Sequence, residues 1–259
     1  MTAAKAGVPH VFDRLPQIDR RLRRARKVAL FLDFDGTLTP LRRRPGEVQL
    51  DPAMRRAIAR LVRHPGVKVW VISGRRLADV RRRVGVKGVT CLGLHGWEAR
   101  PRQPLPAASR RIIRRSCDLI KASLAGFPGL WVEDKGAVFV VHYREGRPVD
   151  VRRGRRVVQR MMKGFAPPLR LLAGKKIWEV FPREVKGKGE AARAIAARLP
   201  AGTLVVYAGD DATDEDAFRA LPGALTVRVG RSAPTGAKYR LADPTEVREF
   251  LERMEGVLP

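Results

Sequence analysis

The stretch from Val28 to Pro40, VALFLDFDGTLTP, constrains this chain more than any other. Val28 to Leu32 and Phe34 are apolar around Asp33, in a run too short for a typical helix, with Arg26 and Lys27 ahead of it and Gly36 behind. Such a run reads as a fully buried strand of a parallel sheet. Side chains alternate along a strand, so an extended backbone through Asp35 brings Asp33 and Asp35 out on one side at the carboxyl end. Ligands of open α/β sheets bind at that end. Two carboxylates held this close repel each other and need a cation or a shared proton. Gly36 allows a tight turn, and the amides that follow, with the Thr37 hydroxyl, form a nest suited to an anion. A buried strand running into an Asp-rich turn would read similarly, so the segment does not decide alone.

The rest of the chain repeats the strand-then-helix texture. Asp51-Pro52 opens a helix through about Arg63. Val67 to Ile72 is a second strand, breaking at Ser73-Gly74-Arg75 into a helix through about Val84. Ser73 there is either a phosphate-binding hydroxyl, with the Gly74 backbone beside it, or a helix N-cap. Gly88 to Leu92 is a third strand, leading into GLHGWE (93–98), where His95 and Gly96 are loop-borne and available. Near Pro101, Pro104 and Pro106 the texture changes. A helix (Ala107 to about Leu124), a strand pair (Leu130–Glu133 and Ala137–Tyr143), a helix (Pro148–Lys163) and another strand pair (Leu169–Leu172 and Lys176–Phe181) form an α+β module, with Trp131 and Tyr143 as hairpin packing. After Pro182 the α/β pattern returns, with an Ala-rich helix (Gly189–Leu199), a strand (Thr203–Ala208), a strand at Val227–Val229 and a helix at Thr245–Met254. The expected fold class is α/β, a Rossmann-like three-layer core with a parallel sheet (1–100 and 182–259) and an inserted α+β cap domain (101–181).

The formal charge of +27 over 259 residues raises the possibility of a polyanion-binding protein. The arginine clusters at 20–26, 42–44, 81–83, 110–115 and 152–160 have almost no aromatic residues interleaved for base stacking, so a solvated surface accounts for them better than nucleic acid. Cys91 and Cys117 give neither a disulfide framework nor metal-ligand spacing and read as buried small hydrophobes. No apolar run suits a membrane span, and the N-terminus lacks a signal-peptide core. A cytoplasmic protein, with a monomer favoured, is the expectation.

The second acidic cluster follows the strand at Thr203–Ala208. It contains Asp210, Asp211, Asp214, Glu215 and Asp216. With Asp33 and Asp35 it places dense negative charge at one edge of the sheet, which calls for a hard divalent cation such as Mg²⁺. The glycine and distant glutamate of an EF-hand are absent. An acidic helix start favouring the macrodipole is the plainer explanation, weakened by the second Asp pair. A carboxylate approaches a phosphate only when a metal and cationic or amide donors take up the charge. Asp33, Mg²⁺, Ser73 and a lysine supply those parts, and Lys188, opening the Ala-rich helix, is the candidate lysine.

In this order, DFDGTLTP, SGR, a Lys-Gly before a helix, and GDDATDE resemble the four motifs of the haloacid dehalogenase superfamily of phosphatases. With GLHGWE, VEDKGAVFVVHYR (132–144) and EVFP…KGEA (179–191), the chain more narrowly resembles the trehalose-6-phosphate phosphatase family over about Val28 to Phe218. The resemblance implies Asp33 as nucleophile and Asp35 as general acid and base. It implies Mg²⁺ held by Asp33, the backbone carbonyl of Asp35 and Asp210, with Asp211 and Asp214 behind them. Thr37, Ser73, Gly74 and Lys188 would hold the phosphate. The inserted domain would be a C2-type cap reading the sugar through Glu133, Lys135, Arg144 and Glu179, with His95 and Gly96 contributing from the core. The family's Glu-x-Arg/Lys-Pro reads Glu179-Val180-Phe181-Pro182 here, so a basic residue is missing unless Arg183 replaces it. A phosphatase of sucrose phosphate or mannosyl-phosphoglycerate, or a non-catalytic polyanion-binding relative, stays open beside trehalose 6-phosphate.

Overall fold

The computed structural model describes residues 7–42, 45–99, 104–165, 167–230 and 234–259. The chain divides into two compact units, Met1–Ala99 with Gly187–Pro259, and Arg100–Lys186. The second unit extends past the expected end at 181. Strand pairing there runs through Pro182, and Arg170 donates to the Val185 carbonyl at 2.6 Å. Pro101 of the expected linker lies outside the described residues.

In chain order the elements are helix α1 (Leu15–Arg24), strand β1 (Val28–Leu32), α2 (Pro52–Arg63), β2 (Val67–Ile72), α3 (Leu77–Val84) and β3 (Thr90–Leu92). The second unit holds α4 (Ala107–Leu124), β4 (Trp131–Asp134), β5 (Phe139–His142), α5 (Pro148–Phe165), β6 (Leu169–Gly174) and β7 (Ile177–Pro182). The first unit resumes with α6 (Lys188–Ala196), β8 (Leu204–Gly209), α7 (Ala212–Ala220), β9 (Leu225–Val229), β10 (Tyr239–Leu241) and α8 (Pro244–Val257).

The first unit is built on a parallel six-stranded sheet in the order β10-β9-β8-β1-β2-β3. β1 lies inside it, with Val28 opposite both Val67 and Leu204, and all five of its residues are buried. Its alternating side chains feed two different layers. Val28, Leu30 and Leu32 join a core with Ile18, Met54, Ile58, Val80 and Phe250 from α1, α2, α3 and α8. Ala29 and Phe31 pack with Ala192, Tyr207 and Phe218 on the side of α6 and α7. That burial on both faces is why the strand reads as a continuous apolar run. Helix α2 starts where Pro52 suits the first turn, and the Asp51 carboxylate accepts from the amides of Ala53 at 2.8 Å and Met54 at 3.3 Å.

The second unit has an antiparallel sheet in the order β4-β5-β7-β6. Ile113, Cys117, Ile120 and Leu124 of α4 and Val158 and Met162 of α5 pack against Phe139, Val141, Trp178 and Val180 on one face. Both cysteines are buried free thiols, and burial pushes each up to about 11. Among the described residues no helix is long and apolar enough to cross a membrane.

Several local expectations need correction. The third strand starts at Thr90, two residues late, because Gly88 sits at φ +93° and the Val89 amide closes a turn on the Val86 carbonyl. Ser73 is not an N-cap, since α3 begins only at Leu77, whose amide the Glu98 carboxylate accepts at 2.6 Å. His95 is not available in an open loop: it lies in a short 3₁₀ turn and is 5 % exposed. Trp131 does pack across the hairpin, its ring stacked 3.9 Å from that of His142 opposite, though it stays 44 % exposed.

Candidate active site

β1, β8 and β2 all end at one edge of the sheet. The residues that follow them meet there. Asp33 leaves β1 with its amide bonded to the Ala208 carbonyl at 2.9 Å, and it is buried. The chain then turns sharply: the Gly36 amide donates to the Thr39 carbonyl at 2.7 Å, and Gly36 adopts φ +88°. A Cβ at that position would lie 2.1 Å from Asp210 Oδ2, so the turn and the second acidic cluster are in direct contact. Only glycine tolerates both the angle and the approach.

Lys188, at the start of α6, is 3 % exposed, and its ammonium lies 2.7 Å from Asp33 Oδ1 and 2.9 Å from Asp214 Oδ1. Asp214 is fully occupied. Its Oδ1 also accepts from the Tyr207 hydroxyl at 2.8 Å, and its Oδ2 accepts from the amides of Asp210 at 3.1 Å and Asp211 at 3.0 Å. Four acceptor sites are thereby used, which makes Asp214 a brace for Lys188 and for the turn after β8. Asp211 caps α7 by accepting the Ala212 amide. Glu215 binds Arg228 at 3.1 Å and Thr235 at 2.8 Å, while Asp216 pairs with Arg219. The acidic run thus splits: Asp210 and Asp214 turn inward, Asp211 caps α7, Glu215 ties α7 to Arg228 of β9 and to Thr235, and Asp216 pairs with Arg219 at the surface.

One carboxylate oxygen from each of Asp33, Asp210 and Asp214 lies within 4.8 Å of the others, and all three residues are buried. Lys188 is the cation paired with this cluster. Burial works against its charge, but Asp214 and Asp33 outweigh it and raise its pKa. Burial pushes the Asp33 carboxyl well above its ordinary range, opposed by Lys188 and reinforced by Asp214 and Asp210. Tyr207 is also pushed well up, by burial and then by Asp214. Three buried carboxylates with oxygens this close together fit a hard divalent cation with oxygen ligands. The Thr37 hydroxyl beside it is fully buried and has no hydrogen-bond partner among the described residues, as expected of a donor awaiting a ligand.

Ser73, 0 % exposed, follows β2; its hydroxyl accepts from the Arg75 amide at 3.1 Å, across Gly74, and its carbonyl accepts from the His95 amide at 2.9 Å. Gly96 closes that turn, donating to the Gly93 carbonyl at 3.0 Å. Asp35 does not point into the carboxylate cluster with Asp33. β1 ends at Leu32, Asp35 bridges to Thr39, and both its carboxylate oxygens accept from Arg75.

Residues 31–245 match the trehalose-phosphatase family model. The chain belongs to the trehalose-phosphatase family. It is 31 % identical over 245 residues to a curated trehalose-phosphate phosphatase of Mycobacterium tuberculosis, covering 89 % of this chain and 62 % of that protein. The chain therefore spans less than two thirds of the length of that relative. An Aspergillus fumigatus trehalose-6-phosphate phosphatase structure superimposes with TM-score 0.67 at 26 % identity, covering 96 % of this chain and 99 % of that one. The C-terminal domain of the C. albicans trehalose-6-phosphate phosphatase shares the fold, with TM-score 0.84 at 24 % identity over 99 % of this chain and 100 % of that one.

Within the second unit, Glu133 accepts from His142 Nε2 at 2.9 Å and lies 3.8 Å from the Lys135 ammonium. Glu179 is 3 % exposed, and Arg144 donates to the Lys175 carbonyl at 3.5 Å. Arg170 lies directly across from Phe181, its guanidinium 4.6 Å from the ring centroid, so a cation does accompany the phenyl at this position. Two site residues were missed from sequence: Arg75, which grips Asp35, and Tyr207, which bonds Asp214. Arg75 had a signal, since it closes the SGR motif.

Proposed function

We propose that this chain is a Mg²⁺-dependent phosphatase that hydrolyses trehalose 6-phosphate to trehalose and phosphate. The observation that carries the reading is the buried Asp33–Lys188–Asp214 chain next to Asp210, in a member of this family.

Asp33 is the nucleophile. Its free oxygen attacks phosphorus, the bond from phosphorus to the sugar oxygen breaks, and an aspartyl-phosphate forms on Asp33. Asp35 gives a proton to the departing sugar oxygen. It then takes one from the water that attacks phosphorus, which releases phosphate and restores Asp33. Lys188, the Ser73 hydroxyl, the Gly74 backbone and the Thr37 hydroxyl hold the phosphoryl oxygens. Bound Mg²⁺ would neutralise charge between carboxylate and phosphate, held by Asp33, Asp210 and the Asp35 carbonyl with Asp211 and Asp214 behind them. In the second unit, Glu133, Lys135, Arg144 and Glu179 are the residues for the sugar hydroxyls. Two free thiols suit a reducing, cytoplasmic setting.

The test is phosphate release from trehalose 6-phosphate, glucose 6-phosphate, sucrose 6-phosphate and mannosyl-3-phosphoglycerate, with Mg²⁺ and with EDTA. A Mg²⁺-dependent preference for trehalose 6-phosphate supports the reading, and preference for another sugar discards the substrate while keeping the chemistry. Asp33→Asn should cut turnover at least about a thousandfold with the fold intact. Silence on all four substrates, with tight salt-sensitive RNA binding, would move the protein to the polyanion class.

A further inference from the structure

The arginines of this chain are placed in two different ways. On α3, α6 and α7 of the first unit they meet carboxylates, Arg83 with Asp79, Arg193 with Glu190 and Arg219 with Asp216. On α4 and α5 of the second unit, among the described residues, no cation has a carboxylate partner. Asp150, the only acidic residue of α5, is taken by Arg147 ahead of the helix, and Asp118 is the only one on α4.

Five cations of α5, Arg152, Arg153, Arg156, Arg160 and Lys163, are exposed at spacings of three and four. Like charges so spaced stand one turn apart on one side of a helix and destabilise it. Arg111 and Arg115 of α4 repeat the pattern, both exposed. The two helices cover the same side of their sheet, since Ile113, Cys117 and Ile120 of α4 enter one apolar core with Val158 and Met162 of α5. They also touch, because a Cβ on Gly154 of α5 would lie 3.4 Å from Leu124 of α4. With both apolar sides turned inward, the charged sides make one basic face. A composition rich in arginine scatters charge, but it does not leave a two-helix layer without counter-charge.

Between α5 and β6 lies a cavity of about 640 Å³. Arg156, Arg160 and Lys163 line it, over an apolar floor of Met162, Leu169 and Leu171. Such a cavity complements a molecule that is anionic at one end and apolar at the other. A nucleic-acid backbone or an inorganic anion uses the cations and leaves the floor in water, whereas an anionic phospholipid covers both. Duplex also fails on shape, because two helices side by side, each about 10 Å across, do not enter a major groove about 12 Å wide. Single strands need aromatic platforms, and Phe165, the sole aromatic residue of α4 and α5, packs against the core. Leu119 of α4 and Val149 of α5, both exposed, add apolar area suited to the headgroup boundary.

We propose that the face formed by α4 and α5 docks on a membrane surface bearing anionic phospholipid, with a lipid phosphate held by Arg156, Arg160 and Lys163 and the adjoining acyl carbons over Met162 and Leu169. The proposal uses residues of the second unit alone and is independent of the phosphatase reading.

Co-sedimentation of the full chain with vesicles tests it. The protein should pellet with phosphatidylcholine vesicles containing about a third phosphatidylglycerol, stay in solution with phosphatidylcholine alone, and be released by added salt. The triple variant Arg156→Gln, Arg160→Gln, Lys163→Gln should partition at least about tenfold more weakly. Arg20→Gln, Arg23→Gln, Arg24→Gln on α1 removes the same charge from the first unit and should cost less than about twofold. Inorganic phosphate replacing chloride at equal ionic strength should release nothing. Failure to bind the anionic vesicles overturns the proposal, and so do equal losses in the two triple variants, which would reduce the effect to net charge. Release by inorganic phosphate overturns it in favour of a free-anion site. Duplex RNA bound more tightly than the vesicles, and lost in the α5 variant, overturns it in favour of nucleic acid. Should the α5 variant fail to fold, hydrogen exchange of the wild type decides: anionic vesicles should slow amide exchange in α4 and α5, and slowing confined to the first unit overturns the proposal.

Discussion

Arg75 grips both carboxylate oxygens of Asp35, its Nε donating to Oδ2 at 2.8 Å and its Nη2 to Oδ1 at 2.7 Å. The same guanidinium donates through Nη1 to Asp79 at 2.9 Å and lies over the Phe34 ring, 5.6 Å from its centroid. A two-pronged hold of this kind fixes direction as well as charge. In the proposed reaction Asp35 must present one oxygen to the leaving group, so Arg75 has to yield one prong and keep the other.

Removing that hold should harm the proton transfer more than the phosphoryl chemistry. Arg75→Ala is expected to lower kcat for an alkyl phosphate such as trehalose 6-phosphate by about a hundredfold, within the range of general acid–base catalysis. It should cost far less for p-nitrophenyl phosphate, whose leaving group departs without a proton. Steady-state kinetics on the two substrates decide, and equal losses would reduce Arg75 to a structural ion pair.

Lys188 is the second point of strain. Replacing it by methionine keeps the length and removes the charge, leaving Asp33 and Asp214 buried without their cation. Breaking a buried pair on one side costs about 3–5 kcal/mol. In a domain of this size that lowers Tm by roughly 10 °C. Adding Asp33→Asn to Lys188→Met should recover part of the loss, because one uncompensated carboxylate is gone. Strict additivity in a thermal-denaturation double-mutant cycle would contradict the coupling.

How much of this could be read beforehand depends on whether the signal was local. β1 was legible because a strand buried on both faces is apolar at every position, and α2 because Asp51-Pro52 is a cap and first turn in themselves. Lys188 was legible from its place between two glycines ahead of a helix. β10 was not, since Tyr239–Leu241 is three residues long and owes its place to pairing with β9. Arg75 reaches an aspartate 40 positions away, and Tyr207 looks like any apolar strand residue until its hydroxyl meets Asp214. Alternation assigns residues to two faces of a sheet, but which face the helices cover is a tertiary fact.

Asp79 gives the fold an acid limit of its own. Burial works to raise its carboxyl, but hydrogen bonds from Arg83 and Arg75, with their charges, bring it down to about 2. A carboxyl lower in the folded state than in the unfolded chain contributes stability above the unfolded value of about 4, and that contribution fades as pH falls from about 4 to about 2. Asp79 is partly open to solvent, so the contribution is at most about 1 kcal/mol. Asp79→Asn should therefore be less stable than the wild type at pH 6 and converge with it near pH 2. Urea titrations across that range measure the difference, and a gap that stays constant with pH would show that packing, not charge, is lost.

The carboxylate cluster makes the last prediction, one that needs no turnover. Asp33, Asp210 and Asp214 converge within 4.8 Å around Lys188, and Asp210 is pressed against the Gly36 turn so closely that a Cβ there would meet its Oδ2 at 2.1 Å. The folded chain holds these oxygens together and the unfolded chain does not, so a divalent cation held there would bind the native state selectively. At a hundredfold excess over Kd such binding adds about 2.7 kcal/mol. For a chain of this length Mg²⁺ should then raise Tm by roughly 5–10 °C, and EDTA should reverse it. Asp210→Asn should abolish the shift while losing little stability without the metal, because the like-charge crowding around Asp33 is relieved. Gly36→Ala should abolish it too, by forcing Asp210 out of place. Calorimetry of the three proteins with and without Mg²⁺ separates the cases, and a full shift in Asp210→Asn would remove Asp210 from the metal site.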